Sequence, residues 1–141
     1  MVKIMNFEKL NINLKLQKKI FEVGFKDLTS IQEKCIPEIL KGRDVVGQAE
    51  TGSGKTLAFC LPILDMINKD HGLQVLILTP TRELCIQVTN VFRDFGRYLG
   101  IETCSIYGGV NIEPQINNII NSNIVVATPG RLLDHLGRNT I

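Results

Sequence analysis

The chain has no CxxC pair, no apolar stretch long enough to cross a membrane and no large excess of either charge. Each absence closes off a class. The longest apolar runs, such as Val75–Leu78, are strand-sized, far below the roughly 20 residues of a spanning helix. No amino-terminal signal pattern is present, so no membrane partner is expected. The four cysteines, Cys35, Cys60, Cys85 and Cys104, are too widely separated for a metal knuckle. Each lies in apolar or helical sequence, which predicts buried free thiols in a reducing compartment. His71 and His135 have no partner pattern and read as surface or loop residues. Repeats, low-complexity tracts and linkers are also missing. A net charge of +2 points to no partner by itself, but the charge is unevenly spread. Residues 1–43 carry nine Lys/Arg against five Asp/Glu, and residues 44–141 carry seven against nine. The basic first third suits either a nucleic-acid face or a solvated pair of helices.

What is present is apolar patterning for one α/β domain. The 141 residues, 44% hydrophobic, are enough for a core and too few for two large domains. From Asp44 onward short apolar runs alternate with amphipathic stretches. The pattern predicts strands at residues 45–49, 74–79, 103–107 and 123–128. It predicts helices at 55–68, with Leu57, Leu61, Leu64 and Ile67 along one side, and at 83–98, with Leu84, Val88, Val91, Phe92 and Phe95 on one face. Ile112, Ile116, Ile119 and Ile120 mark another helix, whose Pro114 is tolerable in the first turn. Residues 132–136 begin a last one. Apolar strands alternating with helices imply a parallel sheet covered on both faces. Residues 1–43 do not alternate in this way. They read as two helices, 14–23 and 30–40, with Gly24 as a cap after the first and Pro37 blurring the limits of the second. The expected organisation is a helical region, 1–43, ahead of an α/β core, 44–141, within one structural domain.

Ala49-Glu50-Thr51-Gly52-Ser53-Gly54-Lys55-Thr56 follows a predicted strand and opens a predicted helix, the context a phosphate-cradling loop requires. Gly52 and Gly54 let the backbone turn tightly and aim successive N–H groups at phosphate oxygens. The helix amino terminus adds unsatisfied donors and the positive end of its dipole. Lys55 can reach the outer phosphates as a mobile point charge, and the Thr56 hydroxyl can ligate Mg²⁺. The generic pattern begins with Gly, and here that place is Ala49. A phosphoryl-transfer site also needs a carboxylate at the end of another strand. The predicted strands end in Thr79-Pro80-Thr81, Tyr107-Gly108-Gly109 and Thr128-Pro129-Gly130, with no Asp or Glu among them. Either the chain is part of a longer protein, or it binds nucleotide without efficient hydrolysis.

The remaining motifs resemble those of the DEAD-box family of ATP-dependent RNA helicases. Gly24-Phe25-Lys26-Asp27-Leu28-Thr29-Ser30-Ile31-Gln32 is similar to the family's Q motif, with Phe7 seventeen positions before Gly24. Ala49–Thr56 is similar to motif I, including its opening Ala. Pro80-Thr81-Arg82-Glu83-Leu84 resembles motif Ia, Gly108-Gly109 the GG element, and Thr128-Pro129-Gly130-Arg131 motif Ib. All five stand in the family's order and cover nearly the whole chain. Two positions depart from it: Leu28 replaces a usual Pro, and Cys85 a usual Ala.

The resemblance implies a RecA-like P-loop NTPase fold, three-layered with a parallel sheet, incomplete at its carboxyl end. It implies ATP with Mg²⁺ as cofactors. Phe7, Phe25, Lys26, Thr29 and Gln32 would hold the nucleotide together with Ala49, Glu50, Thr51, Gly52, Ser53, Gly54, Lys55 and Thr56. Lys55 and Thr56 would serve catalysis, Thr56 as the Mg²⁺ ligand. Gln32 would read the adenine edge while Phe7 stacks on the ring. The residues alone offer another account of Gln32, because Thr29-x-x-Gln32 and Ser30-x-x-Glu33 both fit a helix capping box, and the two roles can coexist. Pro80, Thr81, Arg82, Gly108, Gly109, Thr128, Pro129, Gly130 and Arg131 would contact the RNA sugar–phosphate backbone without regard to sequence. Singly, these are turns, a strand-to-helix connection and a charged helix start. The family's Asp-Glu-Ala-Asp carboxylates, its Ser-Ala-Thr element and a second RecA-like domain in cis are expected beyond Ile141. The parent would then be a monomer, cytoplasmic, or nuclear in a eukaryote. Losing the carboxylate strand, which packs beside the P-loop strand in that fold, would leave a gap or an unpaired edge in the sheet. The competing functions are a small P-loop kinase and a stand-alone nucleotide-binding module.

Overall fold

A computed structural model describes residues 6–141. They form two compact units, one ending at Met66 and one beginning at Ile67. The sequence sets its own boundary earlier, between residues 43 and 44, where helical sequence gives way to the first apolar run.

The first unit is a 3₁₀ turn, Phe7–Lys9, followed by helices α1 (Leu14–Glu22), α2 (Ser30–Leu40) and α3 (Lys55–Met66). Asn13 caps α1: its Oδ1 accepts from Lys15 N at 2.9 Å, and its own N–H donates to Asp65 Oδ1 at 2.7 Å. Gly24 ends that helix in the left-handed region, φ +85°, and its N–H donates to Phe21 O at 3.0 Å. Pro37 and Pro62 lie inside α2 and α3, each at a cost of about 3 kcal/mol. The helices persist because they pack on one another. Ile36, Leu61 and Leu64 are completely or almost completely buried, each worth roughly 1.5–3 kcal/mol.

The strand predicted at 45–49 does not form. Residues 43–50 carry no regular structure, and Val46 is fully exposed. A strand is stabilised by its ladder and cross-strand side-chain pairs, and no strand pairs with this segment among the described residues. Instead it lies close against α2: a Cβ on Gly47 would stand 3.3 Å from Cys35 Sγ and 3.4 Å from Ile31 Cδ1.

The second unit holds a parallel sheet of β1 (Val75–Leu78), β2 (Thr103–Ile106) and β3 (Ile124–Ala127) in the order β1-β3-β2, with α4 (Arg82–Gly96), α5 (Glu113–Ile120) and α6 (Pro129–Gly137) between and after the strands. Ile124 aligns with Val75 on one side and Thr103 on the other. The central strand Ile-Val-Val-Ala is wholly buried, as a strand covered on both faces should be. Helix α4 packs on β2 and β3 through Cys85, Val88, Phe92 and Phe95. Residues Cys104, Ile106, Ile119, Val125, Ala127 and Leu132 form a core cluster. Edge strand β1 leaves Leu76 and Leu78 exposed. Helix α6 begins at Pro129, three residues before the predicted start, because Pro is well suited to the first helical position. All four cysteines are free and buried. Burial pushes the Cys60, Cys85 and Cys104 thiols upward, so they are poor nucleophiles. No helix among the described residues is long and apolar enough to cross a membrane.

Candidate nucleotide and RNA-backbone sites

In the first unit, the predicted Q motif and P-loop meet. Thr29 and Gln32 form the capping box that opens α2, with Thr29 N donating to Gln32 Oε1 at 3.0 Å. The same side chain turns its Nε2 to Gly54 O at 3.1 Å. Gln32 is buried, so its amide needs these partners. It still has one N–H and one oxygen lone pair beyond them. Leu28, where the resemblance leads one to expect Pro, is buried. An antiparallel bridge between Asn6 and Asp27 and the bond from Phe7 N to Lys26 O (3.2 Å) hold the neighbouring chain in place of a proline ring.

Gly52 and Gly54 both have left-handed backbones, φ +80° and +86°, which only glycine adopts without strain. They differ in surroundings. Nothing lies within 4 Å of a Cβ built on Gly52, whereas one on Gly54 would meet Gln32 Nε2 at 2.4 Å and Thr29 Oγ1 at 3.2 Å. Lys55, the first residue of α3, turns its ammonium back into the loop and donates to Ala49 O and to Glu50 O, the latter at 3.0 Å. Ser53 Oγ is buried without a protein partner. A recess of about 250 Å³ opens beside it, lined by Thr29, Lys34, Gln48 and Ala49 among others. A second recess of about 290 Å³ is lined by Phe7, Phe21, Phe25 and Lys26. Of the two aromatic rings assigned to the nucleotide, Phe7 is buried and Phe25 is 47% exposed.

The second unit gathers the other predicted contacts at the carboxyl ends of its strands. Thr81 caps α4, its Oγ1 accepting from Leu84 N at 3.3 Å. Pro80 and Arg82 are exposed, and the Arg82 guanidinium lies 4.8 Å from the Tyr107 ring centroid, a cation–π distance. Gly108 and Gly109 are exposed, and Gly109 has φ +81°. Thr128 occupies the N-cap of α6 without making a side-chain cap. The first bond of that helix runs from Leu132 N to Thr128 O, which leaves the Gly130 and Arg131 N–H groups without helical acceptors.

Arg131 is engaged within the protein. Its side chain is only 11% exposed, and it donates to Val110 O at 2.9 Å and Gln115 Oε1 at 3.2 Å, with Asp134 at 3.9 Å. His135 is a correction to the sequence reading. It is completely buried, with Nδ1 2.8 Å from Thr140 Oγ1 and Nε2 3.3 Å from Gln115 Oε1. Burial foremost, then the Arg131 charge, lowers its pKa below the ordinary imidazole value. His71 is exposed, as expected. The sequence reading also missed Gln115. The signal was present for both residues: Gln115 precedes buried Ile119 by four positions and His135 follows buried Leu132 by three, which places each on the inner face of its helix.

Comparisons with known proteins agree with this layout. The family described as DEAD/DEAH box helicase matches residues 29–141. A probable ATP-dependent RNA helicase of Methanocaldococcus jannaschii is 44% identical over 141 residues, covering 99% of this chain and 38% of its own length. A DEAD-box ATP-dependent RNA helicase of Helicobacter pylori is 42% identical over 137 residues, covering 96% of the chain and 28% of its own length. The chain therefore spans well under half of these relatives. The crystal structure of a DEAD box protein from Methanococcus jannaschii superposes with a TM-score of 0.93 at 44% identity, over 97% of this chain and 38% of that one. That of a hypothetical ATP-dependent RNA helicase from Sulfolobus tokodaii gives 0.85 at 47% identity, over 92% and 38%. The fold is the α/β, parallel-sheet RecA-like fold of these helicases, and the chain belongs to the DEAD/DEAH box helicase family.

Proposed function

We propose that this chain is the part of an ATP-dependent RNA helicase that binds ATP with Mg²⁺ and grips the RNA backbone, within a longer RNA-dependent ATPase that separates short duplexes. One observation carries the nucleotide half. The Gln32 amide is bonded at once to Thr29 N and Gly54 O, so the group that reads the base is fastened to the loop that receives the phosphates. The spare N–H and lone pair of that amide match the acceptor and donor on adenine's edge, so capping and base reading coexist. Phe25 and Phe7 line the second recess, beside the start of the Q motif.

The loop suits a triphosphate. Gly54 leaves no room for a side chain, the α3 amino terminus supplies donors, and buried Ser53 Oγ has an unfilled hydrogen-bonding capacity. Phosphate oxygens replace Ala49 O and Glu50 O as partners of Lys55. Thr56, in the first turn of α3, is placed to hold Mg²⁺, which neutralises phosphate charge when bound. A titration with labelled ATP tests the site: Lys55→Ala removes binding, and an unchanged isotherm in that variant places the nucleotide elsewhere.

RNA contact falls to Thr81, Arg82, the Gly108–Gly109 turn and the uncapped start of α6. Short hydroxyls, glycine amides and a helix amino terminus bind phosphates without reading bases. Arg82 is the exposed cation of the set. Single-stranded RNA binding should therefore weaken with salt and ignore sequence. Arg82→Ala should flatten the slope of log K against log salt by about 0.7, measured by anisotropy with labelled oligo-uridine and oligo-adenosine. A slope that Arg82→Ala leaves unchanged excludes Arg82 from the interface.

A further inference from the structure

Beneath the second unit's exposed contacts lies a polar group that phosphate binding does not explain. Gln115 sits on the otherwise apolar inner face of α5, 5% exposed. A buried amide is tolerated only when paired, and both ends of this one are engaged. Nε2 donates to Tyr107 O at 3.0 Å, and Oε1 accepts from Arg131 Nη1 at 3.2 Å. Arg131 extends the connection, its Nη2 donating to Val110 O at 2.9 Å. Tyr107 and Val110 flank Gly108 and Gly109, so one amide and one guanidinium hold both ends of that turn. The turn has no side chain of its own to anchor it, and nothing lies within 4 Å of a Cβ built on Gly108. Arg131 and Tyr107 O fix the amide's orientation, and that orientation sets the His135 tautomer. Arginine can only donate, so the atom facing it is the Gln115 oxygen, and the His135 Nε2 facing that same oxygen carries the proton. Nδ1 lies 2.8 Å from Thr140 Oγ1, whose hydroxyl is also 3.2 Å from His135 O.

We propose that Gln115 and Arg131 form a clamp that fixes the Gly108–Gly109 turn in the shape that presents its backbone N–H groups to RNA. Arg131 is then a positioning residue in place of a direct phosphate ligand. Releasing its guanidinium to a phosphate would free the Val110 end of the turn and leave the buried Gln115 Oε1 with the His135 Nε2 donor alone, which disfavours that use. The inference rests on the RNA-backbone reading above.

The test uses the whole 141-residue chain and compares wild type with Arg131→Ala, Gln115→Leu, Gln115→Glu and the Gln115→Leu/Arg131→Ala double variant. Gln115→Glu guards against misfolding, because it keeps the volume and the acceptor for Arg131 while losing the donor to Tyr107 O. Two readouts are taken: anisotropy of labelled oligo-uridine at several salt concentrations, and amide hydrogen exchange across residues 107–111. Far-UV circular dichroism and the thermal unfolding midpoint serve as the controls for folding. The clamp predicts RNA binding weakened roughly five- to tenfold in each single variant, the loss of about one hydrogen bond. It predicts an unchanged salt slope, faster exchange confined to the turn, and a double variant no weaker than the worse single one. Arg131→Ala flattening the slope by about 0.7, with Gln115→Leu binding RNA normally, makes Arg131 a phosphate ligand and overturns the clamp. Wild-type chain that shows no salt-dependent RNA binding overturns the RNA reading itself, whatever the exchange data show, and the clamp's proposed purpose with it.

Discussion

Gly54 shows how much a single residue can carry. Its positive φ excludes other residues on conformational grounds, and the Gln32 amide on the side a Cβ would occupy excludes them again on contact. Gly52 meets only the first condition. Gly52→Ala should therefore cost about 1–2 kcal/mol of backbone strain. Gly54→Ala should cost distinctly more, because a nitrogen 2.4 Å from the new carbon must move and the bond to Gly54 O is disturbed with it. Urea unfolding of both variants measures the difference, and equal losses would mean that Gln32 yields freely and does not tie the two motifs together. The sequence made the glycine requirement legible, since a phosphate loop needs such turns. It could not show which glycine touches Gln32, because the two are 22 positions apart and meet only through the fold. For Gln32 itself, capping was visible in the spacing and base reading was implied by the family resemblance, and the structure shows the cap formed with donor and acceptor capacity to spare.

Among elements, those with a strong local signal were read most closely. Helix α2 starts at its capping box and runs over Ser30–Leu40, as the spacing predicts. The central strand β3 was evident from an apolar run that only a doubly covered strand tolerates. The stretch at 45–49, Val-Val-Gly-Gln-Ala, opens with an apolar pair and forms no strand, because a ladder depends on a neighbour that its own residues do not encode. Helix α6 illustrates the reverse error. A lone histidine looks like a surface residue until its register puts it on the inner face. Its burial has a pH signature. The folded pKa of His135 lies below its ordinary value of 6.5, so the unfolded chain binds this proton more readily than the folded one. Stability from this residue is complete above about pH 6.5, the unfolded imidazole value, and is lost as pH falls from there toward the lower folded value. Thermal unfolding between pH 7.5 and 5.5 should show a declining midpoint, and His135→Gln should decline less steeply. Parallel curves would place a protonated imidazole comfortably inside the fold, contrary to its burial and the nearby Arg131 charge. Asp134 on the same helix is half-buried, its side chain 40% exposed, and its pairing with Arg138 is screened by solvent.

For the molecule as a whole, the polar chemistry divides cleanly between the units. On the proposed function, base reading and phosphate binding draw on residues up to Thr56, and RNA-backbone contact on residues from Pro80 onward. The motifs were legible because each is short, contiguous and bound to the start of a helix or the end of a strand. The Gln115–Arg131–His135 network was not, because its members come from two helices and its acceptors from a loop. The most direct test of the central claim, that the Q motif and the P-loop form one adenine-specific site, is the ratio of GTP to ATP dissociation constants in wild type and Gln32→Ala. Loosening the cap weakens both nucleotides alike and cancels in the ratio, so only base reading remains in it. Wild type should favour ATP by roughly tenfold to a hundredfold, the penalty of about 1–3 kcal/mol for leaving buried polar groups unpaired against guanine, and Gln32→Ala should bring the ratio close to one. A ratio that is the same in both proteins would contradict the account and leave Gln32 as a helix cap alone.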